Sequence, residues 1–370
     1  MKTFVKYISP CILSLCLLGC NQTTENSANL SGNKYAQGFS LIENTNYTEA
    51  IIYTPWKDSC VMQRFFLVKD TDVQTPSNGI RLHIPLKSIA ATSCTQVGFL
   101  SALHSLPAIK GMANPELLYT PLPHSDWEDI GNAMHPQLER ILLIQPEALL
   151  LTVYQGENRL QRSIKDRNIT PIYINEWTEK HPLARAEWIR FLGALFDKKE
   201  MADSIFATVE QRYMQLAGSA AKQFKSNPTI LTGNNFRGTW YMPTGNTYMG
   251  TLFADAGTDY YYKDRTEGKS LPLSEEEVLL HFQDAQIWVG CNALSLKELA
   301  DENSKCAMFK AFQTGRVFNF KKRTTPSGGN DFWETGTVHP ELILNDLIHI
   351  CHPEQYNNDD NELYFSKQLQ

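Results

Sequence analysis

The longest regular pattern of apolar and polar positions in this chain spans residues 198–226. Its apolar side chains recur at intervals of three and four, the spacing of one face of an α-helix, and they are Ala202, Ile205, Phe206, Val209, Tyr213, Leu216 and Ala220. Polar residues such as Glu210 and Gln211 fall on the opposite face. Pro228 ends the pattern, because proline cannot continue a helix. About 25 residues at 1.5 Å per residue give a rod of roughly 35 Å, which is long enough to join two lobes.

The segments before and after this helix both contain a helical pattern, a break and a strand pattern, in that order. Residues 138–153 show a short helical period, a break at Pro146 and an apolar run typical of a buried strand. Residues 273–290 show the same order of helix, break and strand. We therefore predict an α/β fold in which two α/β sandwich lobes, residues 91–197 and 227–353, flank a central cleft and are joined by one long α-helix.

The N-terminal segment has the pattern of an export signal. Lys2 and Lys6 precede an apolar run that is too short to span a membrane, and Gly19-Cys20 follows it directly. This ending predicts removal of residues 1–19 and lipid attachment to Cys20, with simple secretion as the alternative. The other segments outside the lobes are a polar tether (20–45), a strand-rich N-terminal extension (46–90) and a polar tail (354–370).

Charge and motifs exclude several functional classes. Without residues 1–19 the chain has 32 basic and 40 acidic residues, a formal charge of −8, which argues against a nucleic-acid partner. The sequence contains no GxSxG, HExxH, GxGxxG or P-loop motif in a suitable context, so we expect neither an enzyme nor a bound cofactor. Five cysteines remain besides Cys20, without CxxC or Cys/His zinc spacing. Cys60 and Cys94 are the nearest candidates for a disulfide.

Aromatic and cationic residues follow the predicted strands, where ligands of open α/β sheets bind. A flat aromatic wall suits a large, rigid chelate, and an adjacent guanidinium pairs with its carboxylate or catecholate oxygens. An aromatic ring at a strand end is equally suited to core packing, and Arg237 could instead stabilise the turn at Gly238. The candidate ligand-binding residues are Tyr154, Trp177, Arg237, Trp240, Tyr241, Arg323 and Trp333.

Several longer segments carry a family resemblance. GNNFRGTWYMPTGNTYMGTLFADAG, QLERILLIQPEALLL, LPLSEEEVLL and HPLARAEWIRFLGALF, together with the segment ending in Cys20, resemble the helical-hinge periplasmic substrate-binding proteins of ABC importers, in lipoprotein form. These proteins serve the import of ferric siderophores, haem and cobalamin. The resemblance implies two α/β lobes joined by one long helix, over about residues 84–353.

The resemblance also implies a function and partners. We expect a monomer in the cell envelope, lipid-anchored and facing the periplasm or exterior, that captures a ferric siderophore or haem and delivers it to an ABC permease. Glu139 and Glu276 match the family's permease-docking glutamates, with Glu277 as a one-residue alternative. Cobalamin is the alternative ligand of the same class. The sequence also leaves open the binding of bare zinc or manganese, and a surface-anchored scavenger or structural lipoprotein without a transporter.

Overall fold

The first elements of the fold are four strands of one sheet. The computed structural model describes residues 32–57, 60–152, 164, 167–223, 227–355 and 362–370. The strands are β1 (Phe39–Glu43), β2 (Thr48–Tyr53), β3 (Val61–Val68) and β4 (Ile80–His83). Strands β1, β2 and β3 pair antiparallel, whereas β4 runs parallel to β3. Strand β1 lies in the segment 20–45, so the prediction of a polar tether is wrong for residues 32–45, where Ala36 and Phe39 are buried.

The first α/β lobe is built on a parallel sheet. In chain order its elements are β5 (Ile89–Ala91), α1 (Cys94–Ala102), β6 (Ile109–Met112), β7 (Glu128–Asp129), the hairpin β8 (Gly131–Asn132) and β9 (His135–Pro136), α2 (Leu138–Ile144), β10 (Ala148–Leu151) and β11 (Thr170–Tyr173). The strand order is β11-β10-β5-β6-β7, with all neighbours parallel. Strands β5 and β10 are buried along their whole length, as expected for the centre of a sheet covered on both faces. The order reverses between these two strands.

Two helices lead from this lobe to the next. Helix α3 (Pro182–Leu195) is mostly buried, and α4 (Lys199–Gln223) is the long helix of 25 residues. The apolar stripe of α4 is buried as its spacing predicts, including Phe206, Val209 and Tyr213. Helix α4 packs against α3 and against two helices of the second lobe.

The second lobe repeats the parallel arrangement with a shorter sheet. Its elements are β12 (Ile230–Thr232), β13 (Asn235–Phe236), β14 (Thr239–Pro243), α5 (Tyr248–Asp255), β15 (Ser270–Leu273), α6 (Glu275–Phe282), β16 (Ile287–Val289), α7 (Leu296–Glu302), α8 (Lys310–Gln313), β17 (Val317–Asn319), α9 (Thr335–Val338), α10 (Pro340–Cys351) and β18 (Lys367–Gln368). Strands β12, β16 and β17 are parallel, and β13, β14 and β15 form a separate antiparallel sheet. This mixed α/β architecture confirms the predicted fold class.

The C-terminal segment is not a free tail. Strand β18 pairs antiparallel with β17 and completes the sheet of the second lobe. The carboxylate of Asp346 in α10 accepts hydrogen bonds from the backbone N–H groups of Tyr364, Phe365 and Ser366 at 2.7–2.8 Å. Phe365 is buried. The prediction of a polar tail is therefore wrong for residues 362–370.

The two nearest candidates for a disulfide do not form one. Cys60 and Cys94 are both free thiols. Cys94 is the first residue of α1, and burial raises the pKa of its thiol to about 12. A thiol held in this protonated form is a poor nucleophile for disulfide exchange.

Candidate functional site

The candidate site lies where the carboxyl ends of the parallel strands meet the loops of the other lobe. In the first lobe Thr92 follows β5, Thr152 follows β10, and Asn175 and Glu176 follow β11. Because the strand order reverses between β5 and β10, the loops that follow them diverge and leave a crevice at this edge. Topology therefore places the cleft here.

A buried carboxylate in a loop of the second lobe binds a loop of the first lobe. Glu334, fully buried, accepts hydrogen bonds from the backbone N–H of Tyr119 at 2.5 Å and of Thr120 at 2.9 Å. A Cβ atom at Gly329 would lie 2.2 Å from the carbonyl oxygen of Leu118, so only glycine permits this approach. Burial raises the pKa of Glu334. The side chain of Glu334 in the second lobe thus holds backbone atoms of the first lobe.

The predicted residue Arg323 lies at this junction. Its Nε donates to Asp331 Oδ2 at 2.6 Å, and Asp331 is buried. The guanidinium stands 5.0 Å from the ring centre of Tyr119 and 4.5 Å from that of Tyr364. It therefore joins an aromatic side chain of the first lobe to the second lobe, and about one third of the Arg323 side chain is exposed.

Two of the three predicted tryptophans are accessible. Trp333 is 49% exposed and packs edge-on against Phe332, with the ring centres 4.8 Å apart. Trp177 follows β11 in a short 3-10 helix and is 37% exposed. Its carbonyl oxygen accepts a hydrogen bond from Arg185 Nη2 at 2.9 Å. Each lobe therefore presents one indole ring at its strand-end loops.

Trp240 does not line the cleft, and this prediction is wrong. Its ring is fully buried beside Trp288, and its Nε1 donates to the carbonyl oxygen of Thr232 at 2.8 Å. The cause is the alternation along β14, which turns Trp240 and Met242 into the core and leaves Tyr241 55% exposed.

Of the remaining predicted residues, the structure describes one, Arg237, and does not describe the other two. Arg237 adopts a left-handed conformation (φ 52°) in the turn between β13 and β14, and its guanidinium lies 5.2 Å from the ring centre of Phe236. Tyr154 and Cys20 lie outside the described residues. The roles predicted for these three residues stay predictions.

A polar cluster at the base of the first-lobe loops was not predicted. Glu176 is almost fully buried, and its Oε1 accepts a hydrogen bond from Thr95 Oγ1 at 2.5 Å. Ser93 Oγ lies 2.8 Å from the same hydroxyl. Glu176 Oε2 has no hydrogen-bond partner among the described residues. Burial raises the pKa of Glu176, so its protonated form is favoured relative to an exposed glutamate.

A second contact between the lobes lies beside this cluster. The guanidinium of Arg185, from α3, stands 4.0 Å from the ring centre of Tyr248, from α5. Burial lowers the pKa of Arg185 and raises that of Tyr248 to about 12. Sequence reasoning missed both residues, although each lies in a segment that carries the family resemblance.

The two predicted docking glutamates occupy equivalent helices. Glu139 is exposed in the first turn of α2, and Glu276 is exposed in the first turn of α6. Lys305 Nζ lies 3.3 Å from Glu276 Oε1. Glu277 instead accepts a hydrogen bond from the backbone N–H of Ser274, in a capping box at the start of α6. This difference favours Glu276 over Glu277 as the outward-facing carboxylate.

Two cavities bounded by described residues are lined by neither Trp177 nor Trp333. One, of about 270 Å³, is lined by Thr229 and Asp284, which precede β12 and β16. The other, of about 750 Å³, lies between Met62 and Thr170, beside the start of β11. Within the described ranges, no group of three or more His, Cys, Asp or Glu side chains is placed to hold a metal ion.

The sequence of residues 89–324 matches the family described as periplasmic binding protein. The chain belongs to this family. Two uncharacterized lipoproteins of Methanocaldococcus jannaschii are similar to it: one is 23% identical, covering 87% of this chain and 82% of the relative, and the other is 21% identical, covering 94% and 91%. Among the described helices of this periplasmic binding protein, none is long and apolar enough to cross a membrane.

Solved structures share the fold of this periplasmic binding protein. A periplasmic heme binding protein of Pseudomonas aeruginosa superposes with a TM-score of 0.58 at 16% identity, covering 77% of this chain and 98% of that one. IsdE of S. aureus complexed with heme gives 0.53 at 20% identity, covering 72% and 98%. An ABC transporter substrate-binding protein of Listeria monocytogenes gives 0.53 at 19% identity, covering 72% and 99%. This chain therefore shares its fold with these three proteins.

Proposed function

We propose that this periplasmic binding protein captures a metal chelate, a ferric siderophore or haem, and delivers it to an ABC permease. The observation that carries the proposal is the pair of accessible indole rings, Trp177 at the strand ends of the first lobe and Trp333 at those of the second. Arg323 lies ten residues before Trp333, at the junction of the lobes. An accessible indole ring in each lobe and a guanidinium at the junction of the lobes suit the shape and charge of an anionic chelate.

The chemistry of recognition follows from this arrangement. A chelated metal already has its ligands, so the protein has to recognise the organic periphery of the chelate. An indole face supplies stacking area, and a guanidinium binds carboxylate or catecholate oxygens by charge-assisted hydrogen bonds. Arg237, Tyr241 and Tyr154 are proposed to extend this surface. The heme-binding neighbours support the same ligand class, since they share the fold.

A thermal-shift screen tests the ligand class. The full chain would be heated with haemin, ferric catecholate and hydroxamate siderophores and cyanocobalamin, and with the metal-free form of each iron chelate as the matched control. A specific ligand at 100 times its Kd adds about 2.7 kcal/mol to the free energy of unfolding. We expect one iron chelate to raise the Tm. A Tm shift with cyanocobalamin alone would make cobalamin the ligand instead of an iron chelate. No Tm shift with any compound would contradict the proposal.

We further propose that a lipid on Cys20 holds the protein at the cell envelope. Relatives named as lipoproteins support this proposal. A multiply acylated N-terminus is a sufficient membrane anchor, whereas one acyl chain alone binds only marginally. Cys20→Ala should release the protein from the membrane fraction or leave its signal uncleaved. A cleaved variant that stays with the membrane would contradict the anchor.

A further inference from the structure

The larger of the two cavities lies where the N-terminal sheet meets the first lobe. Its volume of about 750 Å³ is within the range of about 300–1,000 Å³ that is typical of small-molecule pockets. One wall is formed by residues 61–64 and 78–80, and the other by residues 168–171 and Tyr173. The first wall precedes residue 89, where the family match begins. The cavity is therefore distinct from the cleft between the two lobes.

The side chain of Gln63 joins the two walls. Its Nε2 donates to the carbonyl oxygen of Pro171 at 2.7 Å, and its Oε1 accepts from the backbone N–H of Tyr173 at 2.9 Å. The N–H groups of Thr170 and Ile174 donate toward β10, so Gln63 binds backbone groups on the other edge of β11. An extended peptide would add to β11 through these same groups. The cavity therefore suits a compact ligand that is bound by side chains.

The charges around the cavity favour a neutral ligand. Among the described residues that line it, Arg64 is the only charged one, and its guanidinium is paired with Glu49 of β2. An anionic ligand would have to compete with Glu49 for this guanidinium. A cationic ligand would meet no carboxylate in the described lining. The lining thus differs from the cleft, for which we propose an anionic chelate.

Uncharged polar and apolar side chains share the rest of the lining. Asn78 and Asn168 are exposed, and Thr170 is half-buried. Each amide has donor hydrogens and an acceptor oxygen, and the hydroxyl both donates and accepts. Val61 and Ile80 are 43% and 42% exposed and supply apolar surface. A sugar ring matches this combination, because its hydroxyl groups donate and accept while its C–H faces are apolar.

The backbone fixes the positions of the two asparagines. Asn168 has a left-handed conformation with φ 57°. Beside Asn78, a Cβ atom at Gly79 would lie 2.9 Å from the carbonyl oxygen of Arg64, so a side chain at residue 79 would push it away from β3. The polar groups are thus placed by the fold before a ligand arrives, which lowers the entropic cost of binding.

We propose that this cavity is a second binding site, for a neutral saccharide. The inference does not rest on the capture of a chelate, because neither Trp177 nor Trp333 lines the cavity. A free sugar and the end of an envelope polysaccharide offer the same hydroxyl and C–H chemistry. The site therefore takes either source, and the experiments below distinguish them.

Saturation-transfer-difference NMR of the full chain tests the ligand class. The probes are glucose, galactose, mannose, N-acetylglucosamine and their disaccharides, with glucuronic acid and glucosamine as charged counterparts. We expect a neutral saccharide to bind at millimolar concentration or below, and its charged counterpart to bind about tenfold more weakly. No signal from any neutral saccharide would overturn the inference, as would a charged counterpart that binds as tightly as the neutral sugar.

Variants of the lining locate the site. Asn78→Ala and Asn168→Gly each remove an amide, and glycine keeps the left-handed conformation of residue 168. Thr170→Val removes the hydroxyl at nearly constant shape. By titration calorimetry we expect each variant to bind the saccharide about tenfold more weakly, with an unchanged Tm. Asn292→Ala, an exposed asparagine of the second lobe, is the matched control and should bind as the wild type does.

The same variants separate this site from the cleft. If all three variants bind the saccharide as tightly as the wild type, the assignment to this cavity is overturned. Chelate affinity should be unchanged in each variant. Failure of this inference therefore leaves the proposed function intact, and failure of chelate capture leaves this site intact.

Co-sedimentation with the insoluble envelope polysaccharide of the native host distinguishes the two sources. If the wild type pellets with the polymer and the three variants stay in solution, the ligand is a polysaccharide. If the wild type binds a free saccharide by NMR and does not pellet, the ligand is a free sugar. Either result supports the inference, whereas pelleting of wild type and variants alike, without binding of any free saccharide, would overturn it.

Discussion

Two buried carboxylates of the first lobe, Glu187 and Glu176, are used differently. Glu187, in α3, accepts hydrogen bonds from the backbone N–H groups of Lys34, Tyr35 and Ala36 at 2.7–2.8 Å. In the loop after β11, Glu176 Oε1 accepts a hydrogen bond from the Thr95 side chain, and no side chain or backbone group of the described residues lies within hydrogen-bonding geometry of Oε2. A carboxylate that accepts hydrogen bonds from several backbone N–H groups holds that backbone segment in place. A buried carboxyl group with one oxygen left without a donor can instead be protonated.

The aromatic side chains show the same division. Trp188 in α3 is buried and donates its Nε1–H to Glu179, which also accepts from the backbone N–H of Gly38. Trp177 and Trp333, in strand-end loops, are 37% and 49% exposed. The groups around α3 therefore satisfy one another, whereas these two indole rings keep part of their surface accessible.

The largest effect should come from a buried ring of the second lobe. Trp240→Ala removes a fully buried indole and its hydrogen bond to Thr232, and we expect a loss of about 3–5 kcal/mol in the free energy of unfolding. Trp333→Ala is the matched control in the same lobe, and its cost should be smaller, about 1–2 kcal/mol, because about half of this side chain is already exposed. Urea denaturation measures both. Equal losses would show that the two rings do not divide between core and cleft.

The next effect concerns the N-terminal segment. Glu187→Ala leaves three backbone N–H groups without their acceptor, and we expect a loss of about 3 kcal/mol with faster hydrogen exchange at residues 34–36. Glu187→Gln keeps one acceptor oxygen and should lose less. Chelate affinity should not change in either variant. Unchanged exchange at residues 34–36 in Glu187→Ala would contradict the assignment of this carboxylate as the fastener.

The smallest effect concerns Glu176 and depends on pH. Because burial raises the pKa of folded Glu176 above the ordinary 4.5, the folded state holds this proton longer than the unfolded state. The wild type therefore loses stability as the pH rises from 4.5 through the raised pKa. Glu176→Gln does not titrate and still accepts from Thr95, so its advantage over the wild type should grow across that window, to on the order of 1 kcal/mol.

Urea denaturation at a series of pH values checks this prediction. Thr95→Val is the matched control, because it removes the hydroxyl that donates to Glu176 Oε1 and should lower stability. A difference between Glu176→Gln and the wild type that stays constant with pH would contradict the assignment of a buried, half-satisfied carboxyl.

Helices and strands with a regular pattern of apolar residues could be predicted from the sequence. The stripe of α4 and the apolar runs of β10 and β16 identify the two-lobed α/β fold, because their patterns are local. The packing of residues 34–36 and 364–366 could not be predicted. Their backbone N–H groups donate to the side chains of Glu187 and Asp346, and the sequence pattern gives no sign of these contacts.

The site was predicted less completely than the fold. Whether Trp240 or Tyr241 faces the core depends on the register of β14 with its neighbours, and both residues are aromatic, so the alternation gives no signal. Glu176 and Thr95 meet only because β5 and β11 lie in one sheet, although they are 81 residues apart.

Tryptophan fluorescence reports directly on chelate binding at the accessible indole rings, on which the proposed function depends. Haemin, ferric siderophores and cyanocobalamin would be titrated into the wild type and into Trp333→Ala. We expect an iron chelate to quench the wild type at micromolar concentration and Trp333→Ala to bind it about 30-fold more weakly, since truncation of an aromatic anchor typically costs about 2 kcal/mol. If no chelate quenches the wild type at micromolar concentration, chelate binding at these rings is contradicted.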